Sequence, residues 1–79
     1  MKEIIECVPN FSTSQPKVVE AILHEIRKVE GAYVLDSTYD DYYNRLVVTF
    51  VGNHNSVLRA AVASALKAVK LIDMNKHKG

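Results

Sequence analysis

Five side chains of this sequence are candidates for binding anions or polar small molecules. They are an asparagine near the start, an asparagine–arginine pair in the middle and two lysines near the end: Asn10, Asn44, Arg45, Lys76 and Lys78. A guanidinium group can hold a carboxylate through two parallel hydrogen bonds, and an asparagine amide can orient an amide or carbonyl group. These groups are suited to binding and orienting a ligand, and the sequence offers no evident base for proton transfer.

The asparagines and the arginine also have purely structural explanations. Asn10 follows a proline and can serve as a turn residue, and Asn44 can close a hairpin. Arg45 can form an ion pair with a nearby acid, either Asp36 or Asp40. The sequence leaves both explanations open at all three positions.

Lys76 and Lys78 flank a histidine and form a cationic cluster at the end of an apolar helix pattern. Such a cluster can bind phosphate or another anion, but cations also favour the C-terminal end of a helix because of the helix dipole. We expect no metal site, because the histidines are too far apart in sequence for a local metal motif: they are His24, His54 and His77.

The segment 36–43 carries three acids and three tyrosines. Paired carboxylates can serve acid–base catalysis, although solvated acids in a hairpin loop are commoner. The tyrosines can stack on a planar ligand or pack the loop onto a sheet. The six residues are Asp36, Tyr39, Asp40, Asp41, Tyr42 and Tyr43.

The first part of the chain predicts a strand followed by a helix. Alternating apolar residues indicate a strand over residues 2–8, which a proline and an asparagine end. Residues 12–14 offer three candidate helix caps, and Pro16 suits a first helical turn. One apolar face then repeats every three or four residues: Val18, Val19, Ile22, Leu23, Ile26 and Val29.

Two strands are predicted in the middle of the chain. Residues 32–36 alternate as a strand, residues 37–43 read as a hairpin connection, and residues 45–51 give the strongest strand pattern. Both faces of this last strand are largely apolar, which predicts that both are covered. The face expected to form the core carries Leu46, Val48 and Phe50.

An alanine-rich helix is predicted from residue 57 to about residue 74. Its expected core face consists of Leu58, Ala61, Val62, Ala65, Leu66, Val69 and Ile72. The order strand, helix, strand, strand, helix lacks one strand of the ferredoxin-like β-α-β-β-α-β motif. The predicted fold class is therefore α+β, an antiparallel sheet with two helices on one face and an open position beside the first strand.

Size and charge limit the possible partners. The 79 residues form one small domain, residues 1–79, and 10 basic and 9 acidic side chains give a net charge of +1. This balance gives no overall attraction to nucleic acid or to an anionic membrane, and no apolar stretch is long enough to span a bilayer. The single cysteine, Cys7, excludes an internal disulfide, and no signal-peptide pattern opens the chain. We expect a cytoplasmic protein.

Three segments together resemble the N-terminal subdomain of glutamate formiminotransferase, which also occurs fused to a cyclodeaminase. They are residues 6–12 (ECVPNFS), 44–52 (NRLVVTFVG) and 71–79 (LIDMNKHKG), and the resemblance runs in register over the whole chain. It implies a ferredoxin-like subdomain that pairs with a second similar one, with the substrate in a positively charged groove between them. It further implies transfer of a formimino group from formiminoglutamate to tetrahydrofolate, a step of histidine breakdown.

The resemblance also implies a substrate-binding role for the five polar residues, with tetrahydrofolate as a substrate and no metal.

Two departures from the family's sequence pattern bear on catalysis. The family's general-base histidine lies in a Glu-His-Pro-Arg-Met-Gly stretch that would begin one residue past Gly79, so His77 is not that histidine. Thr38 stands where the family usually has its second, catalytically implicated acid, and a threonine cannot act as a carboxylate base. We therefore expect no catalytic residue in this chain.

Two functions of different classes follow as alternatives. The first is the leading part of a formiminotransferase N-terminal subdomain that is inactive alone and belongs to a longer enzyme. The second is a non-catalytic α+β binding or assembly module that forms a homo-oligomer through its sheet, since unpaired sheet edges associate. Recognition of RNA is disfavoured, because residues 45–50 place aliphatic side chains where stacking rings are needed.

Overall fold

The structure, a computed structural model, describes the backbone of residues 3–76 and the side chains of residues 3–72. Its elements are β1 (Ile5–Cys7), β2 (Asn10–Phe11), α1 (Pro16–Arg27), β3 (Ala32–Asp40), β4 (Arg45–Gly52) and α2 (His54–Lys76). All strand pairs are antiparallel, and the helices pack against each other and against the sheet. The predicted α+β, ferredoxin-like arrangement is confirmed.

Strand β4 is the centre of the sheet. It pairs with β3 along one edge and with β1 and β2 along the other. β2 continues the register of β1, so these two short strands occupy one position in the sheet. They are separated at Pro9, whose carbonyl accepts a hydrogen bond from Val48 N–H at 3.2 Å but which has no N–H to donate in return. Four strands thus fill three positions, and no described residue pairs with the outer edge of β1 and β2.

The hairpin between β3 and β4 is tighter than predicted. Residues 37–40 were expected in the connection, yet β3 continues to Asp40, which lies opposite Arg45. The connection is therefore only residues 41–44. Thr38 and Tyr39 favour strands, and cross-strand pairing with β4 carries the strand through Ser37 and Asp40, which are turn-type residues.

A β-bulge interrupts β3 at Leu35. Val34 lies opposite Phe50, whereas Asp36 lies opposite Thr49, so β3 has one extra residue at this point. Successive strand residues alternate between the two faces of a sheet, and one inserted residue reverses the alternation beyond it. Asp36 therefore lies on the face away from the helices.

The helix-covered face of the sheet forms the core. Leu46, Val48 and Phe50 have no exposed surface, and each such side chain contributes roughly 1.5–3 kcal/mol by burial. The predicted apolar face of α1 is confirmed, with Val29 only partly buried and the others buried: Val18, Val19, Ile22, Leu23 and Ile26. The prediction that both faces of β4 are covered is wrong for the described chain, because its alternate residues are only half-buried.

The start of α1 also differs from the prediction. Pro16 is the first helical residue and Gln15 holds the N-cap position, so none of residues 12–14 caps the helix. Thr13 instead turns inward, is 3% exposed, and its Oγ1 accepts a hydrogen bond from Gln15 N–H at 3.3 Å. The rigid ring of Pro16 fixes where the helix begins.

The prediction for the buried face of α2 is wrong for its large residues, although the predicted Ala61 and Ile72 do pack, partly buried, against the core. Its large apolar residues Leu58, Val62, Leu66 and Val69 are 50–67% exposed and form what we term the apolar stripe. The buried residues of α2 are small residues and one valine: Ser56, Val57, Ala60, Ser64 and Ala68. Small side chains permit close helix packing, which outweighs the greater hydrophobicity of the stripe residues.

Two polar contacts fix α2 in place. The helix begins at His54, earlier than predicted, because Asn53 Oδ1 accepts a hydrogen bond from Ser56 N–H at 2.9 Å as an N-cap does. Ser56 Oγ in turn donates to the Glu30 carbonyl at 2.8 Å. The helix is thereby tied to the turn that leads into β3.

Candidate functional site

The face of the sheet away from the helices is open to solvent along its length, and we call it the open face. Alternation and strand register assign ten side chains to it, from all four strands: Glu6, Asn10, Tyr33, Asp36, Thr38, Asp40, Arg45, Val47, Thr49 and Val51. Two of the predicted site residues, Asn10 and Arg45, are among them. Polar groups concentrate at the hairpin end of this face, whereas the other end is more apolar.

Arg45 begins β4 at the hairpin end of the open face. It lies opposite Asp40 in the register and its side chain is exposed. Within residues 3–72, neither Asp36 nor Asp40 forms an ion pair with it, and the salt bridges found there involve Glu25 of α1. The structural explanation for Arg45 is therefore wrong for this part of the chain, and its guanidinium is available to an external carboxylate.

Asn44 immediately precedes Arg45 and has a left-handed backbone conformation, with φ of 53°. Asparagine tolerates this conformation better than most residues. Its Oδ1 accepts a hydrogen bond from Ser14 Oγ at 3.1 Å, and its Nδ2 donates to the Ser12 carbonyl at 3.5 Å. Asn44 therefore closes the hairpin, as its structural explanation requires, and also joins the hairpin to the loop before α1.

Asn10 lies in β2 opposite Val47 and is exposed. It is thus a strand residue, and the explanation of Asn10 as a turn residue is wrong. Its Nδ2 lies 3.5 Å from the Val8 carbonyl, at the long limit of a hydrogen bond. The amide is held only weakly and remains accessible from the open face.

Two adjoining hollows meet at Tyr43 and Arg45. One, of about 380 Å³, is lined by Asn10, Phe11, Ser12, Tyr43, Asn44 and Arg45. The other, of about 580 Å³, is lined by Thr38, Tyr39, Asp40, Asp41, Tyr43, Arg45 and Val47. The structure thus brings three of the five predicted site residues to one hollow, although they come from two segments more than thirty residues apart in the sequence.

The acids and tyrosines of the hairpin take different positions. Asp40 Oδ1 accepts a hydrogen bond from Tyr42 N–H at 2.8 Å, which makes it a turn-forming residue. Tyr42 and Tyr43 contact each other edge to face, with ring centroids 4.8 Å apart. Thr38 is exposed on the open face, where a carboxylate at this position would point to the ligand side.

The remaining predictions fall at the end of the chain. Lys76 is the last residue of α2 and its side chain is not described, and Lys78 lies outside the described residues. Among the described residues, no group of three His, Cys, Asp or Glu side chains could hold a metal ion. No described helix is long and apolar enough to cross a bilayer.

The sequence did not reveal Ser14 as part of the site. Its hydrogen bond to Asn44 joins residues 30 positions apart, which leaves no local signal in the sequence.

The fold and site define a small α+β sheet domain with one helix-covered face and one open face that carries two adjoining hollows. A family model described as "Formiminotransferase domain, N-terminal subdomain" matches residues 4–79. The chain belongs to the formiminotransferase family, as the resemblance predicted.

Two kinds of relative are similar to this chain. It is 42% identical over 80 residues to formimidoyltransferase-cyclodeaminase of Rattus norvegicus, covering 100% of this chain and 15% of that protein. It is 38% identical over 80 residues to glutamate formimidoyltransferase of Streptococcus pyogenes serotype M1, covering 100% of this chain and 27% of that protein. The corresponding protein of Thermoplasma acidophilum is 38% identical over 77 residues, 96% of this chain and 25% of that protein. The chain thus spans about a quarter or less of the length of these relatives.

Proposed function

We propose that this chain supplies one wall of a formiminotransferase site, in which a formimino group passes between formiminoglutamate and tetrahydrofolate. The observation that carries the proposal is the hollow on the open face that Asn10, Asn44 and Arg45 line together. Membership of the family supplies the reaction. Tetrahydrofolate enters as a substrate, and the proposed setting is cytoplasmic histidine breakdown.

Arg45 holds a substrate carboxylate in this proposal. Formiminoglutamate carries carboxylates, and so does the glutamate tail of a folate. The guanidinium is exposed, and no acid in residues 3–72 is ion-paired to it. Its planar fork matches both oxygens of a carboxylate, which a lysine ammonium cannot do.

The other predicted residues assist binding. The Asn10 amide lies across the sheet from Val47 and can orient a carbonyl or amide of the ligand beside Arg45. Asn44 shapes the hairpin that borders the same hollow. Lys76 and Lys78 contribute positive charge for the folate tail, an expectation from the sequence that concerns side chains outside the described ones.

Binding without turnover is the activity we propose for the chain alone. Formimino transfer requires placement of an amine nucleophile against the formimino carbon, removal of a proton and stabilisation of a tetrahedral intermediate. The open face contributes placement, which can lower a barrier by roughly 7–11 kcal/mol when reactants are well aligned. The family's second acid is replaced by Thr38, whose hydroxyl does not act as a base at neutral pH.

Calorimetric titration with folinic acid, a stable folate, tests this proposal. We expect the 79-residue chain to bind it and Arg45→Ala to bind about ten-fold more weakly, because a charge-assisted hydrogen bond contributes about 1.5–3 kcal/mol and exposure lowers this figure. Arg45→Lys should recover only part of the loss. Arg59→Ala is the matched control, since Arg59 is an exposed arginine on α2, away from the open face. No binding by the natural chain, or equal losses in the two alanine variants, would refute the proposal.

A second candidate function is assembly through the sheet. The outer edge of β1 and β2 has no described partner, and the apolar stripe of α2 is exposed on the helical layer. A free edge pairs readily with another strand.

If the chain assembles in this way, light scattering coupled to size exclusion gives a dimer, and Glu6→Pro dissociates it. Backbone N–H groups along a strand point alternately to its two sides. Those of Ile5 and Cys7 point to β4, so the N–H of Glu6 points to the free edge. A monomer at high concentration argues against this candidate.

A further inference from the structure

We propose that Ser14 is a positioning residue, which fixes Arg45 for ligand binding by holding the hairpin through Asn44. The inference rests on the proposed function and adds to it a residue from a different loop. Ser14 Oγ donates to Asn44 Oδ1 at 3.1 Å, and Asn44 is the residue directly before Arg45. We call the contact between Ser14, the Ser12 carbonyl and the Asn44 amide the loop–hairpin clasp.

The clasp contacts the hairpin at Asn44, the residue with the unfavourable backbone conformation. Asn44 has φ of 53°, in the left-handed region that most side chains avoid. Its amide is held on both sides, at Oδ1 by Ser14 and at Nδ2 by the Ser12 carbonyl. Because the next residue is Arg45, a change in the backbone of Asn44 redirects the arginine side chain.

The loop side of the clasp is the fixed side. Between Ser12 and Ser14, Thr13 is 3% exposed and points into the molecule. Its N–H donates to the Phe11 carbonyl at 3.0 Å, and its Oγ1 accepts from Gln15 N–H at 3.3 Å. A loop anchored in this way by strand β2, a buried side chain and the start of α1 offers Ser14 as a stable attachment point.

The hairpin side has few supports of its own. Tyr42 is 85% exposed and Tyr43 is 66% exposed, so the loop tip buries little apolar surface. Its local hydrogen bond joins Tyr42 N–H to Asp40 at the far side of the turn from Arg45. Segments with few buried contacts open easily, so the clasp supports Arg45 from the loop side, in addition to its pairing with Asp40 in the sheet.

Nuclear magnetic resonance relaxation of the 79-residue chain tests the clasp without any ligand. In Ser14→Ala we expect the backbone order of residues 42–45 to fall, while the melting temperature falls by only about 2–8 °C, the effect of losing one hydrogen bond. Ser14→Thr keeps the hydroxyl and should retain the order of the natural chain. Unchanged order of residues 42–45 in Ser14→Ala would overturn the proposal.

Calorimetry with folinic acid tests the positioning role. Ser14→Ala should raise the dissociation constant about two- to ten-fold, the range expected for one neutral side-chain hydrogen bond, and Ser14→Thr should not. In an Arg45→Ala background the same serine substitution should have no further effect, because the residue through which it acts is gone. If Ser14→Ala weakened binding equally in the natural chain and in the Arg45→Ala variant, the inference would be contradicted. Absence of binding by the natural chain refutes the proposed function, and the clasp is then judged by the relaxation data alone.

Discussion

The two faces of the sheet differ in burial, and in the proposed function one supplies stability and the other binding. On the covered face, β4 presents Leu46, Val48 and Phe50, all without exposed surface, to the two helices. On the open face, the same strand presents the exposed Arg45 and three half-buried residues, Val47, Thr49 and Val51. One eight-residue strand thus serves as core on one side and, in the proposed function, as a ligand surface on the other.

This difference explains how so small a chain can carry a site. Its stability depends on the residues that alternate with the site residues, so the open face is free to carry polar groups at little cost to folding. The hairpin end shows the arrangement most clearly, because Leu46 is fully buried beside the exposed Arg45. Substitutions on opposite faces of β4 should therefore affect different measurements.

The largest expected effect comes from Phe50→Ala on the covered face. Removing this fully buried ring costs about 3–5 kcal/mol, a large part of the stability of a small domain. Urea unfolding followed by circular dichroism measures the loss. The paired variant is Thr49→Ala, on the open face one residue away, with an expected loss below about 1 kcal/mol. Similar losses in the two variants would remove the distinction between the faces.

A smaller loss is expected for Gly31→Ala, where the chain enters β3. Gly31 has φ of 91°, and an added Cβ would meet Ser56 Oγ, which is hydrogen-bonded to the Glu30 carbonyl. Strain and displacement of Ser56 together should cost about 1–3 kcal/mol in urea unfolding. The control is Glu30→Ala, because Glu30 is exposed and takes part in this contact only through its backbone carbonyl. Its free energy of unfolding should be close to that of the natural chain. An unchanged unfolding midpoint in Gly31→Ala would show that the turn adapts.

The apolar stripe of α2 should behave as surface. Leu66 is 67% exposed, and we expect Leu66→Ala to change the free energy of unfolding by less than about 0.5 kcal/mol at low protein concentration. Leu23→Ala is the matched substitution in α1, where the side chain is 3% exposed, and should cost about 2–5 kcal/mol. A loss above about 1.5 kcal/mol for Leu66→Ala would mean that a partner covers the stripe.

The smallest effect concerns Glu25, which pairs with Lys28 at the end of α1 and with Lys67 of α2. A hydrogen bond from Lys28, at 3.2 Å, lowers the pKa of Glu25, and Lys67 lies 3.7 Å away. Because the folded pKa lies below the unfolded one, this stabilisation is present above the ordinary glutamate value of about 4.3. It is lost as the pH falls through the lowered pKa. Glu25→Gln should therefore slightly flatten the acid side of the stability profile, measured by urea unfolding at several pH values. A profile identical to that of the natural chain would show that the pair contributes nothing.

Large side chains on a single apolar face made α1 predictable, and in β4 the core face was predicted although the other face was wrongly expected to be covered. In α1 the apolar residues lie on one side and charged residues on the other, so only one packing is possible. α2 offered two apolar sides, one with Leu58 and Leu66 and one with Ala60 and Ser64. Close approach to α1 and the sheet selected the side with small residues. That choice depends on the space between elements, which hydrophobic periodicity alone does not report.

The site was predictable in the same partial way. Residue types and family resemblance identified Asn10 and Arg45, and the shared strand register brings them to one face. The bulge at Leu35 and the link from Ser14 to Asn44 could not be predicted, because each depends on the alignment of segments distant in sequence. These two features decide which polar groups point to the open face and how firmly the hairpin is held.

Mapping of folinic acid onto the chain by amide chemical shifts tests the division between the faces most directly. The account predicts that the largest shifts occur at Asn10, Arg45 and Val47 around the hairpin end of the open face, with little change in residues 54–72 of α2. Shifts concentrated on the helical layer, or no saturable shifts at all, would contradict it.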